Sequence, residues 1–232
     1  MTSHSNAFAQ AVLATCLAAG SCAQNSQVRQ PVADAAQAAA HGESNFTSVF
    51  NGIDLTGWTG NTSGYAAEDG HLVCLKGGGG NLYLANDYSN FAFRFEFKLE
   101  PGGNNGVGIR AARGKNAAYE GMEIQILDNS AEQYAKLQPY QYHGSVYGVA
   151  PAELGHQAPV GEWNTQEIVA DGSRVKVTLN GQVIVDVDLE EVGRPTTVDG
   201  NAHPGLFNEL GAIGFLGHGH RIEFRNLRIQ EL

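Results

Sequence analysis

The chain has 232 residues, including 30 glycines, 24 acidic and 14 basic residues, and its formal net charge is -10 at pH 7. This length suits one large domain with an adequate core or two small ones. The glycine content and the scarcity of helical stretches favour one all-β domain. Because a strongly negative chain repels phosphate backbones and anionic lipid surfaces, nucleic acid is not an expected partner.

The first 22 residues resemble an export signal of the bacterial lipoprotein type. An apolar run over residues 7–19 is too short to cross a bilayer as a helix. The small residues Ala19, Gly20 and Ser21 precede Cys22, as they do at lipoprotein cleavage sites. Two departures are that Ala19 stands where Leu is usual and that no Lys or Arg precedes the run. We expect an exported protein of the periplasm or cell envelope, with Cys22 as a candidate for lipid attachment.

Residues 23–44 are rich in Ala and Gln and contain no aromatic residue. Such a segment cannot bury enough apolar surface to order itself, so it is predicted to be a flexible linker. The folded domain is therefore expected to span residues 45–232. Its single cysteine, Cys74, is expected in the core, and it supports neither a disulfide framework nor a cysteine-based metal site.

From residue 45 onward, short segments of alternating polarity are separated by turn residues, a pattern typical of a β-sandwich. Strands are predicted over residues 71–75, 81–84, 91–99, 104–110, 119–127, 141–148, 163–170, 174–179, 182–189, 212–215 and 221–229. The dipeptide Asn180-Gly181 predicts a type I′ hairpin between two of them.

The predicted strand over residues 91–99 carries Phe at every second position, so its Phe face is expected to form part of the core. In residues 104–110, Val107 and Ile109 are expected to face the core, whereas Arg110 shares the opposite face with glycines. Glycine on that face leaves space above the sheet, which a ligand or a crossing loop should fill.

Residues 119–127 place a carboxylate beside an amide on one face of a strand. Because strand side chains alternate, Glu123 and Gln125 point away from the apolar face. The pair indicates either a polar groove or a plain solvent-facing surface. Residues 141–148 add His143 and Tyr147, which suit a carbohydrate groove. The alternative is that Tyr147 packs under a loop and His143 caps a turn.

Two histidines follow near the C-terminus in Gly217-His218-Gly219-His220. In an extended segment they face opposite ways, so one functional and one exposed histidine are favoured over a shared metal site.

Residues 46–58, with aromatic residues at both ends of a turn-rich stretch, resemble the opening of the 3-keto-disaccharide hydrolase domain family. The resemblance extends over residues 45–232 and is most specific in residues 46–58, 104–110, 119–129, 143–151, 161–164 and 214–228. It implies a two-sheet antiparallel β-sandwich of the concanavalin-like jelly-roll type, similar to lectins and glucanases.

The resemblance further implies cleavage of the glycosidic bond of 3-keto-glycosides. A ketone at C3 acidifies the hydrogen at C2, so a base can remove that proton and the aglycone can leave from C1, with or without later addition of water. Such a site needs a base, a group that stabilises the enolate oxygen, and an acid for the leaving oxygen.

Roles follow as a hypothesis. Glu123 or His143 is the base. The substrate-binding candidates are Arg110, Gln125, Tyr147, His218 and Asn105, with Arg110 and Gln125 orienting or stabilising the oxidised ring and Tyr147 or His218 assisting the leaving group. The sequence establishes no cofactor, and a divalent ion held by Glu123 and a histidine is an alternative electrophile.

Two other functions stay open. The same fold serves glycan-binding modules without catalysis. An ordinary retaining glucanase would need two carboxylates about 5 Å apart. Only Glu123 is clearly placed, with Glu120 and Asp128 as less clearly placed companions, and Gln125 supplies an amide where such enzymes often have an acid.

Overall fold

The computed structural model describes residues 45–232, which form thirteen β-strands, one short α-helix and three 3₁₀ turns. The predicted export signal at residues 1–22 and the linker at residues 23–44 lie outside the described residues. The strands are β1 (Thr47–Ser48), β2 (Trp58–Gly60), β3 (Tyr65–Glu68), β4 (His71–Cys74), β5 (Gly80–Tyr88), β6 (Phe91–Leu99), β7 (Asn104–Ala111), β8 (Met122–Leu127), β9 (Trp163–Asp171), β10 (Arg174–Leu179), β11 (Gln182–Asp188), β12 (Gly211–Gly217) and β13 (Ile222–Glu231). The helix α1 (Leu189–Val192) follows β11.

Two antiparallel sheets make up the domain. The larger has eight strands in the order β11-β10-β9-β6-β13-β4-β3, with β1 also paired to β13. The smaller has five strands in the order β2-β5-β12-β7-β8. Neighbours in each sheet pair antiparallel, which confirms the predicted two-sheet antiparallel β-sandwich. In both sheets, strands from the early part of residues 45–232 pair with β12 or β13 near the C-terminus, so the fold depends on pairings between distant segments.

The core lies between the two sheets and is dominated by phenylalanine. On β6, Phe91, Phe93, Phe95 and Phe97 are buried. The residues that alternate with them between Phe93 and Leu99 point to the other face of the strand and are partly exposed. The ring of Phe215 on β12 stacks on Phe224 of β13, with centroids 3.8 Å apart. This stack joins the smaller sheet to the larger one. The alternation of β6 therefore predicts the core correctly.

Local turn chemistry also agrees with the sequence. Asn180 and Gly181 both have positive φ, 49° and 84°, as the type I′ hairpin between β10 and β11 requires. Cys74 is buried with a free thiol in the core, as expected. Within residues 45–232, no helix is long and apolar enough to span a membrane.

One predicted strand is wrong. Residues 141–148 form turns, and only Val146 makes isolated bridges, to Ile124 and to Ala150. The reason is that Gly144 and Gly148 have φ of 83° and 74°, which breaks the extended backbone on both sides. Side chains in this segment therefore do not alternate between two faces.

We expect Phe93→Ala to lower the free energy of unfolding by about 3–5 kcal/mol, because it leaves a cavity in the phenylalanine core. Chemical denaturation monitored by tryptophan fluorescence measures the change. Ile53→Ala is the control, since Ile53 is 80% exposed, and its loss should stay below about 0.5 kcal/mol. Similar losses for both variants would contradict the described core.

Candidate functional site

The outer face of the five-stranded sheet carries a polar cleft of about 300 Å³. We call it the Glu123 cleft, and its lining residues are Asn104, Asn116, Ala118, Tyr119, Glu123, Gln125, Leu127, Tyr134, Leu137, Gln141, Tyr147 and His218. Strand β8 supplies the base of the cleft, and the loops around it supply the walls. Four of the sequence-predicted site residues meet here, namely Glu123, Gln125, Tyr147 and His218.

The carboxylate of Glu123 occupies the space above Gly106 on the neighbouring strand β7. A Cβ atom built on Gly106 would lie 2.0 Å from Glu123 Oε1. The missing side chain therefore lets the carboxylate lie flat against the sheet, where it is mostly buried. Glycines on this face were expected to leave space for a ligand or a crossing loop, but the space above Gly106 is filled instead by the Glu123 side chain from the adjacent strand.

Gln125 holds this carboxylate. In the amide orientation that satisfies its neighbours, Gln125 donates to Glu123 Oε1 and to the backbone oxygen of Asn105, both at 3.1 Å. A mostly buried carboxylate needs such partners. A second carboxylate at position 125 would instead repel Glu123, so the amide at this position is explained by its contact.

His218 stands at the edge of the cleft. It follows the end of β12, and its Nε2 lies 4.0 Å from Glu123 Oε1, with 51% of its side chain exposed. The imidazole is therefore accessible to solvent while it remains next to the carboxylate. His220 lines a different cavity, so the two histidines do not share a site.

Tyr147 lies on the wall formed by residues 141–148. Its hydroxyl accepts a hydrogen bond from Gln141 Nε2 at 2.8 Å. Because the oxygen is used as an acceptor there, its own proton is available to a ligand in the cleft.

Arg110 does not reach the Glu123 cleft. Strand β12 has one residue between Ala212 and Gly214, whereas the paired stretch of β7 has two, Ile109 and Arg110. This extra residue makes a β-bulge. Arg110 has a φ of 46° in the bulge. Its guanidinium is turned to donate to Ser89 O, Gly172 O and Asn90 Oδ1, at 2.7 to 3.0 Å. The expectation that it shares the groove face is therefore corrected.

Asn105 also lies outside the cleft. It shares the inward face of β7 with Val107 and Ile109, and it is fully buried near Tyr65. Its Oδ1 accepts from the Gly106 N–H at 2.9 Å. The neighbouring Asn104 lines the cleft instead. The alternation of side chains along a strand could have separated Asn104 from Asn105, because Asn105 shares a face with Val107 and Ile109, which were expected to face the core.

His143 is buried in the sandwich and is not among the residues that line the cleft. Its Nδ1 accepts from the Leu127 N–H at 3.3 Å, and its ring packs on Phe97 with centroids 5.1 Å apart. Burial lowers the pKa of His143 to about 3. The positive φ of Gly144 directs this side chain inward, which corrects the expectation that His143 and Tyr147 share one face.

Glu123 is the only acidic residue among those that line the cleft. Asp128, a proposed companion, instead holds a turn by accepting from Ser130 and from the Gly102 N–H. Burial alone would raise the pKa of Asp128, but these hydrogen bonds outweigh it and hold the pKa below its usual value. The two-carboxylate arrangement of an ordinary retaining glucanase is therefore not present among the lining residues.

A divalent ion would find two ligands of the usual types in the cleft, Glu123 and His218. In the part of the chain that the structure describes, no three His, Cys, Asp or Glu side chains converge on one point. A metal would therefore need amide or hydroxyl oxygens and water for its remaining positions, and no role is assigned to it.

The cleft contains residues that the sequence did not single out, above all Tyr119 and Tyr134. Tyr119 falls within the strand predicted over residues 119–127, but β8 begins at Met122 and Tyr119 lies in the turn before it. Tyr134 lies in a short 3₁₀ turn, and in such segments no periodic pattern fixes the direction of a side chain. The concentration of tyrosines in residues 119–147 is the one signal that could have found them, since aromatic rings support sugar faces.

A family model described as 3-keto-alpha-glucoside-1,2-lyase-like domain matches residues 45–230. The chain belongs to this family. Membership in the 3-keto-alpha-glucoside-1,2-lyase-like domain family confirms the resemblance drawn from residues 46–58 and the later segments. The Glu123 cleft lies entirely within the matched residues.

Individual relatives agree with this family. A 3-keto-disaccharide hydrolase of Bacteroides thetaiotaomicron is 27% identical, over 81% of this chain and 78% of that protein. The crystal structure of a candidate glycosyl hydrolase from Parabacteroides distasonis is 29% identical, has a TM-score of 0.71, and matches 81% of this chain and 99% of that one. A non-specific endo-beta-1,3(4)-glucanase, 12% identical with a TM-score of 0.50 over 82% and 96% of the two chains, shares the fold alone.

The burial of His143 predicts a pH dependence of stability. In the unfolded chain this histidine takes up a proton near its ordinary pKa of 6.5, whereas in the fold it does so only near 3. As the pH falls between these values, the unfolded state binds the extra proton and stability drops, by at most about 1.4 kcal/mol per pH unit from this group.

His143→Asn should flatten that slope, because the Asn side chain can still accept from Leu127 but does not titrate. Urea unfolding at pH 7, 6, 5 and 4 measures both proteins. Parallel pH curves for wild type and variant would show that His143 is not buried in its neutral form.

Proposed function

We propose that this protein cleaves the glycosidic bond of 3-keto-glycosides by removing the proton at C2 and expelling the aglycone from C1. Family membership and the 3-keto-disaccharide hydrolase relative support this substrate class. The observation that carries the mechanism is that the Glu123 cleft is lined by a single carboxylate, which is held by an amide and faces a histidine.

Glu123 is assigned the role of base. A C3 ketone makes the C2 hydrogen acidic, and the carboxylate takes that proton while the electron pair forms an enolate between C2 and C3. The contact with Gln125 fixes the carboxylate in one orientation without a second charge. A positioned base of this kind contributes about 10²–10⁴-fold to the rate.

His218 is assigned the role of the acid that donates a proton to the leaving oxygen. As the enolate collapses, the C3 carbonyl re-forms, a C1–C2 double bond appears and the bond from C1 to the aglycone oxygen breaks. C1 and C2 are adjacent atoms, so the acid must lie close to the base, and the 4.0 Å separation of His218 Nε2 from Glu123 Oε1 suits this. Addition of water across the double bond then gives net hydrolysis.

Tyr147, Asn104 and Asn116 are assigned to sugar binding. Each lines the cleft with a hydroxyl or amide that can bond to sugar hydroxyls. Tyr147 is fixed for this by Gln141. One carboxylate is sufficient for the elimination, unlike the two that ordinary glycosidases use.

The test uses the purified full chain with p-nitrophenyl 3-keto-glucoside. We expect wild type to release nitrophenol, Glu123→Gln to lower kcat by about 100-fold or more, and His143→Asn to stay within about threefold of wild type, because His143 lies outside the cleft. p-Nitrophenyl glucoside without the ketone is the matched substrate control and should not react.

Three outcomes would overturn the proposal. They are no release by wild type, unchanged release by Glu123→Gln, and equal release from the unoxidised glucoside. Binding of the 3-keto-glucoside without turnover would favour a glycan-binding module. In deuterated water, elimination followed by rehydration should leave deuterium at C2 of the sugar product, whereas direct displacement at C1 should not.

Gly106→Ala offers a separate check on the position of the base. Gly106 does not have a positive φ, so alanine fits the backbone, but its Cβ would displace Glu123 Oε1. Since misplacing a reacting group by about 1 Å can cost about 100-fold in rate, we expect kcat to fall at least tenfold while the melting temperature changes little. Full activity in a folded variant would contradict the assigned role of Glu123.

A further inference from the structure

A segment outside the five-stranded sheet, residues 197–208, joins the two loops that carry cleft tyrosines. The Asp199 N–H donates to Gly148 O at 3.2 Å, directly after Tyr147. The Gly205 N–H donates to Tyr119 O at 2.9 Å. Residues 197–208 therefore brace both walls of the Glu123 cleft without lining it.

A buried contact between His203 and Asp199 lies inside this brace. His203 Nε2 is 3.1 Å from Asp199 Oδ2, and only 1% and 4% of their side chains are exposed. The carboxylate also accepts from Thr197 Oγ1 at 2.7 Å and from Asn201 Nδ2 at 2.9 Å. Burial alone would raise the pKa of Asp199, but the hydrogen bonds from Asn201, Thr197 and His203 hold it well below its usual range. The carboxylate therefore stays ionised and fixes the orientation of the imidazole.

The imidazole of His203 lies against the ring of Tyr119, with centroids 4.6 Å apart and the planes at 44°. His203 also lies close to the backbone of Gly148, where an added Cβ would come within 2.9 Å of His203 Nε2 and 2.5 Å of Asp199 Oδ2. His203 therefore packs against both Tyr119 and the residue that follows Tyr147.

The elimination needs a donor for the C3 oxygen, and the candidates from sequence do not supply one. Arg110 is held elsewhere by the β-bulge. The Gln125 amide nitrogen is occupied by Glu123 and Asn105. Tyr119 lines the same cleft, and burial, followed by its electrostatic interactions with Tyr147 and Asp199, raises its pKa. Its hydroxyl therefore keeps its proton and can donate a hydrogen bond.

We propose that the Tyr119 hydroxyl hydrogen-bonds to the C3 oxygen of the oxidised sugar, and that His203, fixed by Asp199, positions the ring that carries this hydroxyl. This inference rests on the proposed function. Tyr119 is then a catalytic residue, and His203 and Asp199 are positioning residues that do not touch the substrate.

The hydrogen bond acts on charge that develops during the reaction. When Glu123 takes the C2 proton, the electron pair moves toward the C3 oxygen, and the Tyr119 O–H bond dipole stabilises the negative charge there. Tyr119 keeps its proton throughout. When the aglycone leaves, the charge returns from the C3 oxygen into the new C1–C2 double bond and the leaving oxygen, so no oxidant or reductant is consumed.

Tyr119→Phe removes the hydroxyl and keeps the ring that packs on His203. With p-nitrophenyl 3-keto-glucoside, we expect kcat to fall about 100-fold, as for loss of an oxyanion donor, and KM to change less than about threefold. Tyr88→Phe makes the same chemical change on β5, away from the cleft, and should match wild type. A Tyr119→Phe enzyme within threefold of wild type would overturn the donor role.

A double-mutant cycle tests the positioning role of His203. His203→Ala should lower kcat about tenfold when Tyr119 is present and less than twofold when it is already Phe, because His203 acts through that hydroxyl. A general loss of structure would instead multiply the two effects, and that result would overturn the positioning role. If His203→Ala does not fold, His203→Gln, which can still donate to Asp199 but lacks the ring, takes its place.

Failure of the proposed function is distinguishable from failure of this inference. If wild type releases no nitrophenol, calorimetry with 3-keto-glucose and with glucose measures binding alone. At least tenfold weaker binding of 3-keto-glucose to Tyr119→Phe, with little change for glucose, would support the contact between Tyr119 and the C3 oxygen. Equal binding by both proteins, or no binding by either, would overturn it.

Discussion

The site depends on one steric relation, the placement of the Glu123 carboxylate over Gly106. Antiparallel pairing sets Gly106 opposite Gln125 and Gly108 opposite Glu123, so a shift of the register by one residue would turn every side chain to the wrong face. Because Gly106 has no side chain, the Glu123 carboxylate can lie above it, and the Gln125 amide donates a hydrogen bond to the carboxylate there. A mostly buried charge is tolerated because it is hydrogen-bonded and not crowded by a second one.

The rest of the sandwich supports this pair of strands. Phenylalanine rings from β6, β12 and β13 pack between the sheets, and close packing of this kind leaves little freedom for β7 and β8 to move. On the outer face, loops supply the walls of the Glu123 cleft, and the sheet beneath them supplies its base. Residues 141–148 place Tyr147 in one wall of the cleft. Residues 197–208 contact Tyr119 through a backbone hydrogen bond and through the His203 ring. Groups that touch the cleft and groups that only fix its shape thus come from different parts of the chain.

The side chains of the cleft differ from the carboxylate pair that an ordinary retaining glucanase needs. A shared sandwich does not decide function, and here the difference lies in a few side chains. Gln125 supplies an amide next to Glu123, Asp128 is used in a turn, and Arg110 is turned away by the bulge. What is left is one carboxylate, one imidazole and several hydroxyl and amide groups. The proposed elimination needs one carboxylate, whereas a retaining glucanase needs a pair.

The sequence by itself determined the all-β sandwich, the phenylalanine core, the Asn180-Gly181 hairpin and the face shared by Glu123 and Gln125, because each follows from the period of a strand or from local turn chemistry. It could also have separated Asn104 from Asn105 by the same period. Only the tertiary structure decided the rest. Arg110 left the cleft because of an extra residue in β7, His143 turned inward because Gly144 has positive φ, and Tyr119 entered the cleft from a loop. Bulges, glycine turns and the loops that line the cleft depend on contacts between distant segments. A local periodic pattern indicates only the direction of side chains within one strand, so it does not predict such contacts.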